Sequence, residues 1–297
     1  MNFSVPTHCT LCPRKCGADR TRAAGLCGGG ARVKAARAAL HHWEEPCLSG
    51  TRGSGTVFFS GCSLGCIYCQ NYPISAQNFG KELSVEELAR VFRRLAEQGA
   101  HNLNLVTATH YRPWVQQALH IADTGLPVVW NTGGYETIEV VDALKGDVDI
   151  YLTDVKYASS ELGRTCSNAP DYFDVALAAA KRMIEQVGPP VFDADGLLQR
   201  GVIVRHLALP GCVEDSLAVL RALAEELPRG EFLVSVMSQY TPFYKAKDQK
   251  PFSRRISTYE YRKVVNAAVE LGLTDGYMQE KSSAKEEYTP PFDLEGL

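Results

Sequence analysis

Three cysteines, Cys62, Cys66 and Cys69, stand close together directly after the apolar run 56–60. Iron–sulfur clusters are held by cysteine thiolates. Three thiolates can bind three irons of a [4Fe-4S] cluster and leave the fourth iron open to a small molecule. An open iron can deliver an electron into a bound molecule, whereas a cluster with four protein ligands mainly passes electrons on. The spacing therefore predicts a cluster with a chemical role.

Two other readings of these cysteines are a zinc knuckle and three unrelated buried thiols. Zinc sites in proteins take four ligands, and no further Cys or His follows Cys69 closely in the sequence. The spacing thus favours the cluster over both alternatives.

Four more cysteines, Cys9, Cys12, Cys16 and Cys27, fall within 19 residues near the start of the chain. Four close thiols suit a tetrahedral zinc site, which would support a glycine-rich segment with little core of its own. An auxiliary [4Fe-4S] cluster is the rival, with Cys47 as a substitute for one ligand. A third interpretation is that these four cysteines bind no metal.

Composition limits the classes of protein to consider. The chain has 297 residues, of which 45% are hydrophobic and 22% charged, enough for one large α/β domain and a small appendage. A net charge of -3 argues against nucleic acid as a partner. Ten cysteines are too few for a disulfide scaffold, and residues 1–6 lack the features of a signal peptide. We therefore expect reduced thiols, a cytoplasmic location and no membrane span.

From residue 54 onward, short apolar runs alternate with helical patterns, which is typical of β/α units on a parallel sheet. Capping boxes at Ser84–Glu87 and Ser257–Glu260 predict two helix starts. Six units are too few for an eight-stranded barrel, so we predict an open, partial (β/α)6 TIM-like barrel over 54–297 and a Cys-rich metal-binding module over 1–53. Functional groups should lie at the carboxyl ends of the strands. The predicted strands are 55–60, 103–108, 127–131, 149–154, 201–207 and 232–238.

Asp154 and Lys156 follow the fourth predicted strand and lie two residues apart. Residues two apart on a strand share a face, so the pair can contact a ligand or close the barrel mouth as an ion pair. Spacing alone does not separate these two roles.

The motif Cys62-x3-Cys66-x2-Cys69, with Tyr68 before its last cysteine, resembles the signature of radical S-adenosylmethionine (SAM) enzymes. In that superfamily, SAM binds the open iron of the [4Fe-4S] cluster. An electron from the cluster cleaves SAM to methionine and a 5'-deoxyadenosyl radical, which abstracts a hydrogen atom. The resemblance implies the same chemistry for this chain.

Residues 53 to about 211 resemble the pyruvate formate-lyase activating enzyme group, and more closely its activating-enzyme-like branch. By this resemblance, the residues around SAM are Tyr68, Thr107, Asn131, Thr132, Asp154, Lys156, Arg205 and His206. One departure concerns the Gly-Gly-Glu that many radical SAM enzymes carry to bind the amino group of SAM. This chain has Thr107-Ala108-Thr109 instead, so that contact must come from threonine hydroxyls, backbone carbonyls or another residue. We expect Thr109→Val to weaken SAM binding without loss of iron.

The resemblance implies an activase that acts on a glycyl radical enzyme. Radical modification of a small molecule or peptide is an alternative, and an iron–sulfur electron-transfer protein without catalysis is another. Flavodoxin or ferredoxin would supply the electron. Segment 244–255 carries five cations and could receive such an acidic donor or a protein substrate, or it is simply a solvated loop.

Overall fold

One mixed sheet organises the computed structural model, which describes residues 4–279 and 289–297. Its strands are β1 (Val33–His41), β2 (Ser54–Phe59), β3 (Lys81–Leu83), β4 (Leu103–Val106), β5 (Val128–Thr132), β6 (Ile150–Asp154), β7 (Val191–Phe192), β8 (Leu198–Leu207), β9 (Leu233–Met237) and β10 (Gly276–Met278). The strands run side by side in the order β10-β9-β8-β6-β5-β4-β2-β1-β3, and β7 pairs with β8 alone. The path does not close in the described part of the chain, so the sheet is an open barrel.

Nine α-helices connect or flank these strands in the described residues. They are α1 (Pro46–Ser49), α2 (Tyr72–Ser75), α3 (Val85–Glu97), α4 (Arg112–Ala122), α5 (Ile138–Ala143), α6 (Ser160–Ser167), α7 (Tyr172–Val187), α8 (Val213–Glu226) and α9 (Thr258–Glu270). Two 3-10 turns cover Thr109–Tyr111 and Tyr244–Asp248. Among these helices, none has both the length and the apolar character needed to cross a bilayer.

The six predicted parallel strands are present and pair in the expected order. β2, β4, β5, β6, β8 and β9 lie side by side in this order, and each is parallel to the next. The predicted α/β partial barrel is therefore confirmed. Strand β10 adds a seventh parallel strand beside β9, which the sequence analysis missed because its three residues are too short a signal.

Two antiparallel strands extend the sheet at its other end. β1 pairs with β2, placing Ala39 opposite Thr56, and β3 pairs with β1. The alanine-rich run of β1 contains little of the β-branched character that marks strands, so this strand was not predicted. Residues 1–53 thus contribute a strand to the same sheet that carries the barrel.

The outer face of the sheet is covered by amphipathic helices. In α3, Leu88, Phe92 and Leu95 are fully buried against the strands. Burial of such side chains contributes roughly 1.5–3 kcal/mol each. Both predicted capping boxes are present, at Ser84 of α3 and at Ser257 of α9. These caps fix where the two helices begin.

Helix α1 fills the inner face of the sheet near the amino ends of the strands. Strand residues Val129, Leu152 and Ile203 alternate inward and pack with Leu48 of α1. The side-chain amide of Asn102, just before β4, donates to the carbonyl of Leu48 at 2.8 Å. Helix α1 therefore closes the amino ends of the strands and leaves space at their carboxyl ends.

Candidate active site

A cavity of about 200 Å³ lies at the carboxyl ends of the parallel strands. Most of the residues predicted from the sequence line it: Cys62, Cys66, Cys69, Tyr68, Thr107, Thr109, Asn131, Thr132, Asp154, Lys156 and Arg205. The fold thus gathers residues from four strand ends and one loop into a single site.

The three cysteines lie on the loop that follows β2. At its start, the backbone amide of Cys62 donates to the carbonyl of Cys27 at 2.9 Å. Gly61 allows this close approach, because its φ is +87° and a Cβ there would overlap the Cys27 carbonyl oxygen. The N-terminal segment therefore supports the cysteine loop directly.

Hydrogen bonds reach the sulfur atoms of all three cysteines. The amide of Leu64 donates to Cys62 at 3.4 Å, and the hydroxyl of Ser75 donates to Cys69 at 3.2 Å. The hydroxyl of Ser167 lies 3.0 Å from the Cys66 sulfur. Burial raises the pKa of the Cys69 thiol to about 12, so these sulfurs become thiolates when metal displaces their protons.

A hydrogen-bonded chain of side chains continues behind Cys66. The hydroxyl of Ser167 is 2.8 Å from that of Tyr157, which is 2.6 Å from the hydroxyl of Tyr68. Ring contacts from Tyr157 and Tyr240 hold Tyr68 in place. One wall of the cavity is therefore a rigid, largely aromatic surface.

Asp154 and Lys156 form an ion pair on the cavity wall, and Arg205 joins them. Asp154 accepts from the Lys156 ammonium and from Arg205 Nε at 2.8 Å. Strands β6 and β8 place Asp154 directly beside Arg205. The Arg205 guanidinium also donates to Asn131 at 2.9 Å and lies 3.5 Å from the Glu44 carboxylate.

These contacts favour the charged forms of Asp154 and Lys156. Burial opposes the charge on Asp154, but Arg205 and Lys156 outweigh it and lower the pKa of the Asp154 carboxyl. Burial likewise disfavours charged Lys156, yet Asp154 raises its pKa above the usual value. The cavity thus contains fixed charges of both signs, with two cations on its wall.

Thr107 adopts an unusual backbone conformation at the end of β4. Its φ is +62°, and its amide donates to the carbonyl of Asn131 at 2.8 Å. A positive φ is uncommon for a β-branched residue, and such strain clusters at functional sites. The strained turn brings both Thr107 and Thr109 to the cavity.

A buried carboxylate behind this wall was missed by the sequence analysis. Glu136 accepts hydrogen bonds from the hydroxyls of Thr109 and Thr132 and from the indole of Trp130. It follows Gly133 and Gly134, in a segment whose sequence predicts only a turn. Thr132 and Trp130 precede it closely in the chain, but Thr109 lies 27 residues away, and no sequence motif marked the carboxylate.

Comparisons with known proteins agree with this geometry. The model of the family described as the radical SAM superfamily matches residues 56–196. The uncharacterized protein MJ0674 of Methanocaldococcus jannaschii is 30% identical over 282 residues, covering 90% of this chain and 75% of that protein. This chain belongs to the radical SAM superfamily.

Solved structures of radical SAM folds are similar at low identity. The structure of HydG, a maturase of the [FeFe]-hydrogenase, has a TM-score of 0.50 and 18% identity, covering 76% of this chain and 52% of that one. Methylornithine synthase (PylB) has a TM-score of 0.48 and 14% identity, covering 73% of this chain and 67% of that one. At such identity the HydG structure supports the fold alone, and the comparisons name no branch within the superfamily.

Membership in the radical SAM superfamily implies a [4Fe-4S] cluster and SAM, and the cavity residues fit both. Three cysteines line the cavity, and its described lining contains neither a fourth Cys nor a His. Among residues 4–279 and 289–297, no three His, Cys, Asp or Glu side chains are grouped to hold one ion. A cluster has a different requirement, because each thiolate binds its own iron. The cations and threonine hydroxyls suit the carboxylate and amino groups of SAM.

His206 is the predicted cofactor-binding residue that the fold places elsewhere. It is buried, its Nδ1 lies 2.9 Å from the carbonyl of Val155, and it does not line the cavity. Burial lowers the pKa of His206 to about 4, so the ring is neutral near pH 7. Successive strand residues point to opposite faces, and Arg205 takes the inward position of the two.

The four N-terminal thiols do not line the cavity. Cys9, Cys12 and Cys27 are buried, and Cys16 is partly exposed. The side chain of Cys16 is hydrogen bonded to that of Cys9, so these two thiols are neighbours. The absence of a single-ion grouping in the described residues gives the zinc prediction no support. An auxiliary cluster at these four thiols stays a prediction.

Cys47 is not placed to replace one of these thiols. It lies in α1, inside the sheet, packed in the apolar cluster of Leu152 and Ile203. Its side chain is hydrogen bonded to Tyr277. The suggestion that Cys47 is a fourth metal ligand is therefore wrong, because α1 carries it to the amino ends of the strands.

Proposed function

We propose that this chain is a radical SAM enzyme that cleaves SAM reductively and abstracts a hydrogen atom from a substrate. The observation that carries the proposal is that Cys62, Cys66 and Cys69 share one cavity with the buried group of Asp154, Lys156 and Arg205. The cysteines supply a place for the cluster, and the charged group supplies a place for SAM beside it. An electron-transfer protein does not need a SAM-binding site beside its cluster.

Cys62, Cys66 and Cys69 would hold the cluster through their sulfurs. A cluster held there would supply one electron to break a carbon–sulfur bond of SAM, and the products would be methionine and a 5'-deoxyadenosyl radical that takes a substrate hydrogen to become 5'-deoxyadenosine. The hydrogen bonds from Leu64 and Ser75 stabilise negative charge on the sulfurs.

The remaining residues of the wall would bind and orient SAM. Lys156 and Arg205 offer positive charge for its carboxylate, while Asp154 keeps both cations in position. Asn131, held by Arg205, adds a fixed amide at the same wall. Tyr68 and Tyr240 provide aromatic surface that excludes water from the reacting atoms.

The substrate we propose is the backbone glycine of a glycyl radical enzyme. The resemblance of residues 53 to about 211 to the activating enzyme group supports this choice, as does the position of the Asp154-x-Lys156 pattern on the cavity wall. The cavity opens to solvent, as access for a polypeptide loop requires. Action on a small molecule or a free peptide is the competing outcome.

The proposed electron donor is a flavodoxin or a ferredoxin, both generally acidic, bound at segment 244–255. The amide of Ala246 in this segment donates to the carbonyl of Ile67 in the cysteine loop at 3.0 Å. The ring of Tyr244 stacks on Tyr72 with centroids 5.2 Å apart, and Tyr72 donates its amide to the Cys69 carbonyl at 3.2 Å. A donor attracted by the lysines here would lie beside the cluster loop.

The first test measures SAM cleavage. The protein is reconstituted with iron and sulfide without oxygen, reduced with dithionite and incubated with SAM, and 5'-deoxyadenosine is quantified by chromatography. We expect product from the wild type and from Cys212→Ala, and none from Cys66→Ala. An electron paramagnetic resonance (EPR) signal of the reduced cluster that SAM does not shift would favour an electron-transfer protein instead.

The second test concerns the substrate. Radical-free pyruvate formate-lyase is added as a probe, and the glycyl radical is sought by EPR. A glycyl signal that requires SAM and Cys66 supports the activase. Formation of 5'-deoxyadenosine without any glycyl signal on this probe argues against this activase substrate and directs the search to small molecules and peptides.

A further inference from the structure

Glu136 is a buried carboxylate one layer behind the cavity wall. It is 1% exposed, and its Oε1 accepts from the Thr132 hydroxyl at 2.6 Å, from the Thr109 hydroxyl and from Trp130 Nε1 at 3.3 Å. Its Oε2 is buried and has no hydrogen-bond partner among the residues that the structure describes. Three donors therefore converge on one oxygen of a group that itself does not reach the cavity.

A tight turn after β5 puts Glu136 in this position. Gly134 has a φ of +82°, and a Cβ there would overlap the carbonyl oxygen of Asp154. The amide of Glu136 donates to the Gly134 carbonyl at 2.9 Å, and α5 begins two residues later. The turn thus directs the Glu136 side chain back beneath the ends of β4 and β5.

The contacts of Glu136 determine which way the two hydroxyls point. A hydroxyl has one proton to donate and two lone pairs to accept with. Because the hydroxyls of Thr109 and Thr132 both donate to Glu136, their oxygens keep lone pairs that can accept from other groups. The Thr132 oxygen already accepts one weak hydrogen bond, from the Gly134 amide at 3.3 Å. Both threonines line the cavity, which therefore presents acceptors at this point.

The charge on Glu136 reinforces this preference. Among the described residues it forms no salt bridge with any cation, and Arg112 is the cation whose charge acts on it through space. In a buried, poorly polarisable setting such a carboxylate favours positive charge and N–H donors nearby. Thr109 and Thr132 form the part of the cavity wall next to Glu136, so this preference for positive charge and N–H donors acts on a ligand there.

We propose that Glu136 is a positioning residue that fixes the hydroxyls of Thr109 and Thr132 as acceptors for the amino group of SAM. This inference rests on the proposed function. The chain has no acidic residue at the end of β4, where Thr107-Ala108-Thr109 stands. Glu136 supplies the missing negative character indirectly, through two neutral side chains that contact the ligand.

The test compares two ligands on the reconstituted full chain by isothermal titration calorimetry: SAM, and a SAM analogue that lacks the α-amino group. In Glu136→Gln, the new amide can donate to the threonine oxygens and turn the hydroxyl protons toward the cavity. We expect this variant to bind SAM about tenfold more weakly while its affinity for the analogue stays within about twofold of the wild type. Glu139→Gln, an exposed carboxylate three residues away, is the matched control and should change neither.

A second pair of variants asks the same question without altering a buried carboxylate. Thr109→Val removes the acceptor, whereas Thr109→Ser keeps it. We expect Thr109→Val to lose the preference for SAM over the analogue and Thr109→Ser to retain it. In the double variant Glu136→Gln, Thr109→Val, the loss should be much smaller than the product of the single losses, because both act on one contact.

Each remaining outcome contradicts the proposal. Unchanged SAM affinity in Glu136→Gln removes Glu136 from the site, and equal weakening of both ligands assigns it a purely structural role. These results would leave the proposed function standing. A wild-type protein that holds its cluster but binds neither ligand would overturn the proposed function itself, and the role of Glu136 with it.

Discussion

The hydroxyl of Ser167, the last residue of α6, lies 3.0 Å from the sulfur of Cys66. Tyr157 lies 2.8 Å from the same hydroxyl, so the Ser167 side chain is held on both sides. Hydrogen bonds to cysteine sulfurs are one of the factors that set the reduction potential of an iron–sulfur cluster. Ser167 therefore links a distant helix to the electronic properties of the cluster loop.

Replacement of Ser167 by alanine should lower the reduction potential of the cluster. The reduced cluster carries one more negative charge, which a hydroxyl donor stabilises, so its loss favours the oxidised form. We expect a shift of about 60 mV, the one-electron equivalent of a tenfold change in equilibrium constant, in a redox titration followed by EPR. Thr165→Ala, an exposed position on the same helix, should leave the potential in place. A Ser167→Ala potential equal to that of the wild type would show that this hydrogen bond does not tune the cluster.

Loss of the Asp154 carboxylate should destabilise the fold as well as the site. Asp154→Asn leaves Lys156 and Arg205, whose side chains are each only 16% exposed, without their shared partner. Removal of one member of a buried ion pair costs about 3–5 kcal/mol, which we expect in the free energy of unfolding measured by denaturant titration. Asp142→Asn breaks a half-exposed pair with Arg182 and should cost less than about 1 kcal/mol. Similar losses in the two variants would contradict the buried character of the Asp154 group.

The ionisation of Glu136 gives a pH dependence of known sign. Burial raises the pKa of this carboxyl despite the three hydrogen bonds it accepts. A group whose pKa is raised on folding contributes most below its unfolded value, about 4.3 for glutamate, and loses that contribution as the pH rises through the folded pKa. The stability of the wild type relative to Glu136→Gln should therefore fall as the pH rises above about 4.3.

Denaturant titrations of the wild type and Glu136→Gln from pH 4 upward check this expectation. The exposed carboxylate variant Glu139→Gln, compared with the wild type over the same range, shows how much change arises from titration at the surface. A difference between wild type and Glu136→Gln that is constant with pH would mean that the buried carboxyl ionises as freely as in the unfolded chain.

The lysines of segment 244–255 should speed reduction of the cluster by an acidic donor. The triple variant Lys245→Gln, Lys247→Gln, Lys250→Gln removes three of the five cations there. We expect reduction by flavodoxin to slow at least about tenfold at low salt, and the difference to shrink as salt screens the charges. The rate is measured by stopped-flow absorbance of the cluster. Dithionite needs no docking site, so it should reduce the triple variant and the wild type at the same rate. The double variant Lys145→Gln, Lys181→Gln removes exposed lysines elsewhere and controls for the general loss of positive charge. Equal rates with flavodoxin in variant and wild type would place the donor on another surface.

Much of the fold could be predicted because its signals are local. The strand of residues 150–154 opens with the apolar run Ile150-Tyr151-Leu152, and the first turn of α3 carries its own capping box, so each can be recognised within a few residues. The same holds for Cys62, Cys66 and Cys69, whose spacing is short and specific. The position of Asp154 and Lys156 on the cavity wall followed from the rule that functional groups gather at the carboxyl ends of parallel strands.

The rest depended on contacts between distant parts of the chain. Glu136 meets Thr109 across 27 positions, and Glu44, two residues before α1, lies 3.5 Å from Arg205 on β8. His206 was expected beside Arg205, but the pleat of β8 sends neighbours to opposite faces. Such contacts follow from the packing of whole elements, and neither periodicity nor short motifs encode them.

The hydrogen bond from Cys62 to the carbonyl of Cys27, with Gly61 fitted against it, has a consequence for how the protein matures. The loop that carries the first cluster cysteine is anchored to a segment made earlier on the ribosome. Its shape thus depends on the position of the Cys27 backbone, so the loop can take its final form only when this part of the N-terminal segment is in place.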